Sequence, residues 1–209
     1  MTDSAADRVY ADVKEQILTS ALRGGDLISE GEIADRCNVS RTPVREAFLR
    51  LAAEGWMRLY PKRGAFIVPV SDREARDVLD ARVLIESHAV RSVVGRPEEL
   101  ADLGRALADN LERHRNADLS EFAVLDAEFH QLIVAAGDNA LLADMYVSLG
   151  ERHRRMTTTR LHRGGAVADQ IFADHEALAA TIAAGDADEF ASGLAAHLSG
   201  VHDIPGGPR

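Results

Sequence analysis

The sequence predicts a mainly α protein in two parts: an N-terminal winged helix-turn-helix with a small β-hairpin wing, and a C-terminal all-α helical bundle of six or so helices. Three observations predict it. Strand-like runs are confined to residues 56–68, helical periodicity fills the rest, and the charge is divided unequally along the chain. Tyr10, Val13, Ile17 and Ala21 recur at helical spacing, predicting a first helix over 7–22 that ends at Gly24 and Gly25. Ser29, with Glu32 three residues on, forms a capping box for a short second helix that Asn38 breaks. Ser40 caps a third helix, which turns Val44, Ala47, Phe48 and Leu51 inward, tolerates Pro43 in its first turn and stops at Gly55. Two short strands, 56–60 and 65–68, then flank a tip of Pro61, Lys62, Arg63 and Gly64.

Beyond Ser71 the strand signals vanish, and helices are expected at 72–94, 97–115, 120–136, 139–159, 168–184 and 186–202. Pro97, Asp118 with Ser120, Gly137 to Asn139, Gly164 with Gly165, and Gly185 with Asp186 separate them; the Pro- and Gly-rich tail 203–209 is expected to be loose. The natural division is therefore 1–70 and 71–209.

The 209 residues carry 24 basic against 34 acidic side chains, a net charge of −10, which excludes a uniformly basic nucleic-acid coat. Residues 1–70 hold ten of each sign, so the whole deficit lies in the second part. Within the first part, Arg36 to Arg63 contains seven bases and two acids, a patch able to approach phosphates. A content of 46 % hydrophobic and 28 % charged residues excludes disorder as the main theme. The single cysteine, Cys37, excludes an intrachain disulfide framework and a cysteine-rich zinc site. The start, MTDSAADR, has no apolar stretch of the kind a secretion signal needs, and no run approaches the ~18 apolar residues of a membrane span. A cytoplasmic protein with no membrane partner is expected.

Helix periodicity aims Arg45 outward from the start of the third helix, with Thr42 and Leu49 on the same flank and Arg41 nearer the core edge. An arginine there can bond guanine O6 and N7 together when the helix enters a major groove. Thr42 and the first backbone amides can hold a phosphate, and Lys62, Arg63 and Gly64 can lie along the backbone or in the minor groove. The run from Glu32 to Ile67, and above all VSRTPVREA at Val39 to Ala47, resembles the DNA-binding domain of the GntR superfamily of bacterial transcription regulators. In its FadR branch the resemblance implies DNA contacts from Ser40, Arg41, Thr42, Arg45 and Gly64. At a second-helix position where some members carry a basic residue, this chain has Gly31.

In LSEFAVLDAEFHQLIVAA, Asp126 and His130 stand four residues apart on one helix face, and His175 and His197 lie among apolar residues on later helices. Three imidazoles and a carboxylate suit a first-row divalent cation, zinc first, with nickel, manganese or iron as alternatives. The second part, about 74–202, resembles the FadR-type C-terminal ligand-binding domain, in which an aspartate and three histidines from three helices bind a metal; Asp126, His130, His175 and His197 fill that order. The resemblance further implies the metal-dependent group that senses small carboxylic acids. Arg82 is the candidate for a charge-assisted contact to such an acid, against the alternative of an ordinary i, i+4 pair with Glu86. His88, His114, His153, His162 and His202 fall outside the pattern and read as surface or packing residues.

The expected function is a homodimeric bacterial regulator, a repressor, binding a palindromic double-stranded operator under control of a small carboxylate effector. The nearer alternative is a metal-responsive regulator with the cation itself as signal. A metal-dependent hydrolase or oxygenase is the remoter one, and the sequence holds no HExxH, GxSxG, Walker or GxGxxG pattern in its favour.

Overall fold

The structure, a computed structural model, describes residues 3–164 and 166–202. The expectation of a loose tail over 203–209 lies outside them. The chain divides into two compact units, Met1–Val70 and Ser71–Arg209.

In the first unit, α1 (Ala5–Leu18) opens on a capping box between Ser4 and Asp7. It is shorter than its apolar stripe suggested: Ser20 takes a left-handed φ of 59°, the Leu22 amide bonds back to the Gln16 carbonyl, and Ala21 ends up exposed. A two-residue strand, β1 (Leu27–Ile28), leads into α2 (Glu30–Cys37), whose Ser29–Glu32 box forms as expected. Asn38, at φ 51° in the left-handed region, makes the tight turn into α3 (Arg41–Ala53). Strands β2 (Met57–Tyr60) and β3 (Gly64–Ile67) complete the wing. Val9, Val13, Ile17, Val44, Phe48, Leu51, Trp56 and Ile67 form the core that fixes α3 against α1 and the sheet.

The wing has a third strand that the sequence did not reveal. Strand order is β1-β3-β2, all antiparallel, with Ile28 opposite Ala65 and Tyr60 opposite Gly64. Two residues are too short for alternation to show, so β1 is defined by its partner and not by its own pattern. This gives Gly64 a structural duty: at φ 108° it turns the hairpin, and a Cβ there would collide with the Ile28 carbonyl oxygen.

In the second unit the described residues form α4 (Asp72–Val94), α5 (Pro97–Arg115), α6 (Leu119–Ala136), α7 (Ala140–Leu161), α8 (Val167–Ala183) and α9 (Ala187–His202). Ser71, Asp118 and Asn139 accept hydrogen bonds from the first-turn amides of α4, α6 and α7, and Pro97 starts α5. Helix α4 packs on α6, α7 and α9; α6 lies between α5 and α7; α8 packs on α5 and α9. Leu79, Val90, Phe129, Ile133, Ile171, Ile182 and Phe190 fill the apolar interior. Among them the bundle also buries Arg82, Glu86, Asp126, His130, His153, His175 and His197. No helix among the described residues is long and apolar enough to cross a membrane.

Gly64→Ala is expected to destabilise the first unit by about 1 to 3 kcal/mol, the strain of a side chain forced into this conformation. Guanidinium unfolding followed through Trp56, the only tryptophan in the sequence, reads it; an unshifted midpoint would show that the wing tolerates the Cβ.

Candidate nucleic-acid interface and candidate metal centre

Arg41, Thr42 and Arg45 are exposed along the first two turns of α3, and Lys62 and Arg63 are exposed at the wing tip. Ser40 occupies the N-cap position, but its hydroxyl makes no capping bond, contrary to the expected side-chain cap. The amides of the first turn are thus left to another acceptor. Charge on this unit is partly internally matched: Arg36 pairs with Asp12, Arg50 with Asp7, and Arg45 with Glu30. Arg41, Arg58, Lys62 and Arg63, at the start of α3 and on the wing, make no ion pair with the described residues, and neither do Arg8 and Arg23 elsewhere on the unit. Arg45 points outward, as its helix position predicts, and donates from Nε and Nη2 to the two Glu30 carboxylate oxygens, at 3.0 and 2.8 Å.

In the bundle, Asp126 and His130 from α6, His175 from α8 and His197 from α9 each offer one ligand-type atom, and these atoms lie within 4.8 Å of one another. All four residues are buried. His130 Nε2 and His175 Nε2 are 3.2 Å apart, and His175 Nε2 is 3.4 Å from Asp126 Oδ1. Donor atoms held at ~2.1 Å from one cation stand ~3 Å apart in octahedral cis positions and ~3.4 Å apart in a tetrahedron. These two separations suit donors sharing one first-row ion.

The outer nitrogens strengthen the fit. His130 Nδ1 lies 2.7 Å from Glu86 Oε2, and His197 Nδ1 lies 3.0 Å from Asp174 Oδ2. A carboxylate on Nδ1 places the proton there and leaves Nε2 as a lone pair facing the cluster, the arrangement in which a histidine binds a metal. Asp126 Oδ2 accepts from Thr157 Oγ1 at 3.0 Å, whereas its buried Oδ1 accepts no hydrogen bond. Buried polar atoms are rarely left in that condition without an ion or ligand to meet them.

Arg82, fully buried on α4, donates from Nε to Glu86 Oε1 at 2.9 Å and to the Tyr146 hydroxyl at 3.0 Å, and Tyr146 donates to Glu86 at 2.5 Å. The i, i+4 pair that stood as the alternative to an effector contact is therefore present, yet it engages the guanidinium only through Nε. Arg82 Nη1 and Nη2 are buried and make no hydrogen bond with the described residues. Through Glu86 they stand one residue from the His130 ring.

Some functional geometry was invisible in the sequence. Glu86, Tyr146, Asp174 and Thr157 hold the candidate ligands and Arg82 in place, and each comes from a different turn or helix than the group it orients. His88 and His162 are exposed, as read. His153 is not mere packing: it is buried, with Nδ1 3.4 Å from Asp126 Oδ2 and Nε2 3.3 Å from Thr157 Oγ1. His114 and His202 line the same interior, their rings 5.5 Å from His175 and 5.1 Å from His153. The spacing of His153 and Thr157, four apart on α7, was the available signal.

Burial governs the electrostatics here. It pushes His130, His153 and His175 well below the usual imidazole range, His114 down to about 4 and His202 to about 3. It raises Asp126 to about 6 and raises Glu86 against the opposing pull of Arg82 and Tyr146. His130 and His175 are thus neutral near pH 7, the form that ligates.

Two family models match the chain: "Bacterial regulatory proteins, gntR family" over residues 5–67 and "FCD domain" over residues 77–200. An uncharacterised HTH-type transcriptional regulator in an unstable DNA locus of Streptomyces ambofaciens is 34 % identical over 203 residues, covering 93 % of this chain and 82 % of that protein. The HTH-type transcriptional repressor RspR of Escherichia coli K12 is 32 % identical over 152 residues, covering 71 % of this chain and 66 % of RspR. The solved structure of E. coli McbR/YncC superposes with a TM-score of 0.75 at 23 % identity, covering 97 % of each chain, a likeness of fold.

Acid should destabilise the metal-free protein. Five histidines with lowered values stay neutral when folded but take up protons below about 6.5 when unfolded, so their stabilisation is full above that pH and declines beneath it. Asp126 and Glu86, raised in the folded state, act in the opposite sense but are two against five. Thermal midpoints recorded from pH 7.5 to 5 are expected to fall; a flat or rising profile would contradict the burial of neutral imidazoles.

Proposed function

The chain belongs to the GntR family of bacterial regulatory proteins, with an FCD domain behind its DNA-binding head, and on that footing we propose a cytoplasmic, homodimeric repressor whose hold on a palindromic operator is set by a small carboxylic acid bound at a divalent metal. It is a transcriptional regulator and not an enzyme. One observation carries the finer reading: four ligand-type atoms within 4.8 Å, beside a buried arginine whose Nη1 and Nη2 are unbonded.

Asp126, His130, His175 and His197 would hold the ion, zinc first and nickel, manganese or iron as alternatives, with Glu86 and Asp174 fixing two of the rings. When bound, the ion supplies a Lewis-acidic position at which a carboxylate can replace water. The guanidinium fork of Arg82 matches the two oxygens of a carboxylate, and such a charge-assisted, bidentate pair is stronger than a neutral hydrogen bond. An anion also answers the electrostatic need of the site, because Arg82 brings a positive charge that Glu86 shares with Tyr146 and His130. At the head, Arg45 would read a base, Ser40, Arg41 and Thr42 would meet phosphates at the start of α3, and Lys62, Arg63 and Gly64 would follow the backbone or minor groove. Two heads serve two half-sites about one helical turn, ~34 Å, apart, which is why a symmetric dimer is required. The name of RspR, a transcriptional repressor, supports the sign of regulation.

Metal-depleted protein reloaded with zinc, nickel, manganese or iron is expected to take up one ion per chain, whereas His175→Ala keeps its far-ultraviolet circular dichroism and takes up none. On the loaded protein, an acid present at 100 times its dissociation constant adds about 2.7 kcal/mol of stability, and the same acid releases a fluorescent operator. Full metal occupancy in His175→Ala would refute the ligand set. Operator release by the cation alone, with no acid shifting the midpoint, would make the ion the signal and remove the carboxylate from the reading.

A further inference from the structure

The Glu30–Arg45 pair is a poor candidate for a stabilising salt bridge. It lies on the surface, with the Arg45 side chain 66 % and the Glu30 side chain 30 % exposed, where such pairs contribute little. Its geometry is nevertheless specific. Both Glu30 oxygens are used, one by Nε at 3.0 Å and one by Nη2 at 2.8 Å, so the carboxylate grips the side edge of the guanidinium. A guanidinium has five N–H groups in a planar fork. This grip uses one on Nε and one on Nη2, leaving the end edge, formed by Nη1 and the remaining N–H of Nη2, without a contact among the described residues. An end edge of that kind is what guanine O6 and N7 accept in a major groove.

Glu30 is also well anchored. It is the first residue of α2, directly after the Ser29 cap whose box with Glu32 is complete, and a carboxylate is favoured at that end of a helix. Arg45 stands on the other helix of the helix-turn-helix, fifteen residues on. The grip therefore ties a flexible side chain of α3 to a fixed point on α2.

We infer that Glu30 is a positioning residue for base reading: it holds the side edge of Arg45 so that the end edge is already aimed at a guanine before the head meets DNA. This rests on the reading of Arg45 as the base contact. The gain is pre-organisation, because an arginine whose rotamers are already fixed loses less freedom on binding. Glu30 contributes no affinity for random DNA; its negative charge opposes phosphate.

The test uses the full-length dimer and an operator selected by the wild-type protein from a pool of random duplexes. For wild type, Arg45→Ala and Glu30→Gln, the ratio of operator to random-DNA affinity is measured, so that the change of net charge cancels. Each guanine is then replaced in turn by 7-deazaguanine, which lacks the N7 acceptor. Arg45→Ala is expected to lower the ratio by roughly 5- to 150-fold, the range of one bidentate base contact. Glu30→Gln is expected to lower it by roughly 3- to 30-fold while random-DNA affinity stays level or rises, and Glu30→Asp to restore part of the loss. The guanine whose 7-deaza form weakens wild type should have no effect with Arg45→Ala and a reduced effect with Glu30→Gln. If Arg45→Ala keeps the ratio, the base-contact reading falls and the role of Glu30 with it. If Arg45→Ala loses the ratio but Glu30→Gln keeps it, only the positioning role is refuted. A higher ratio in Glu30→Gln would show that the carboxylate competes with DNA for Arg45, which also overturns the inference.

Discussion

The bundle is organised around a chain of buried hydrogen bonds running from Arg82 through Glu86 to His130. Removing these groups from water is costly, and the cost is tolerable only if each charge meets its opposite and each lone pair a proton. Glu86 does most of that matching: it accepts from the Arg82 Nε, from the Tyr146 hydroxyl and from the His130 ring. Three helices, α4, α6 and α7, are thereby registered against one carboxylate. The same bonds decide the chemistry, since a proton fixed on His130 Nδ1 leaves Nε2 for the cluster. Packing and ligand geometry have one origin here, and a substitution of Glu86 would disturb both together.

What the sequence revealed depends on the distance over which each signal acts. Helix limits in the bundle are read almost to the residue, because Ser71, Asp118 and Asn139 cap locally and Pro97 and Gly185 interrupt locally. Asp126 and His130 are a local pair as well, four residues apart on one helix. Bringing His175 and His197 to them required the resemblance to a known family; spacing alone left each histidine an ordinary core or surface group. Their orienting partners had no such help. Asp174 lies next to His175 in sequence but serves His197, and Tyr146 reaches Glu86 across sixty residues. In the head, β1 escaped notice because two residues carry no periodicity, and Gly64 was legible as a turn glycine but not as a neighbour of the Ile28 carbonyl. Arg45 was placed correctly on the outer flank of α3, while its hold by Glu30 depends on how α2 crosses α3, which no periodicity encodes.

The division of charge between the two units follows from what each has to meet. The head balances its charges in number yet leaves cations unmatched at the start of α3 and on the wing, so that it can be attracted to a polyanion locally while its net charge stays low. A uniformly basic head would bind any duplex and lose discrimination to the electrostatic, sequence-independent term. The acidic surplus of the second unit opposes such non-specific binding. Its interior carries the reverse sign beneath an acidic exterior: among the described residues Arg82 is fully buried and Arg155 nearly so. If the proposed carboxylate binds this unit, the interior site and not the surface field would select it.

Arg82 and Arg45 repeat one device in two environments. Each has its Nε held by a glutamate, Glu86 in the bundle and Glu30 in the head, and each keeps Nη1 uncommitted among the described residues. A lysine could not repeat this geometry, because its three N–H donors sit on one nitrogen and form no planar fork with two separate edges. The side edge fixes direction and the end edge recognises, whether the target offers two carboxylate oxygens or the O6 and N7 of guanine. The environments then set the strength. Burial around Arg82 excludes competing water and makes an unmatched charge expensive, which would favour tight capture of the proposed carboxylate. Exposure of Arg45 keeps each contact modest, which suits a head that must leave one sequence to find another. On the proposed function the two regimes are complementary: the bundle site would hold its signal long enough to be read, and the reader would let go.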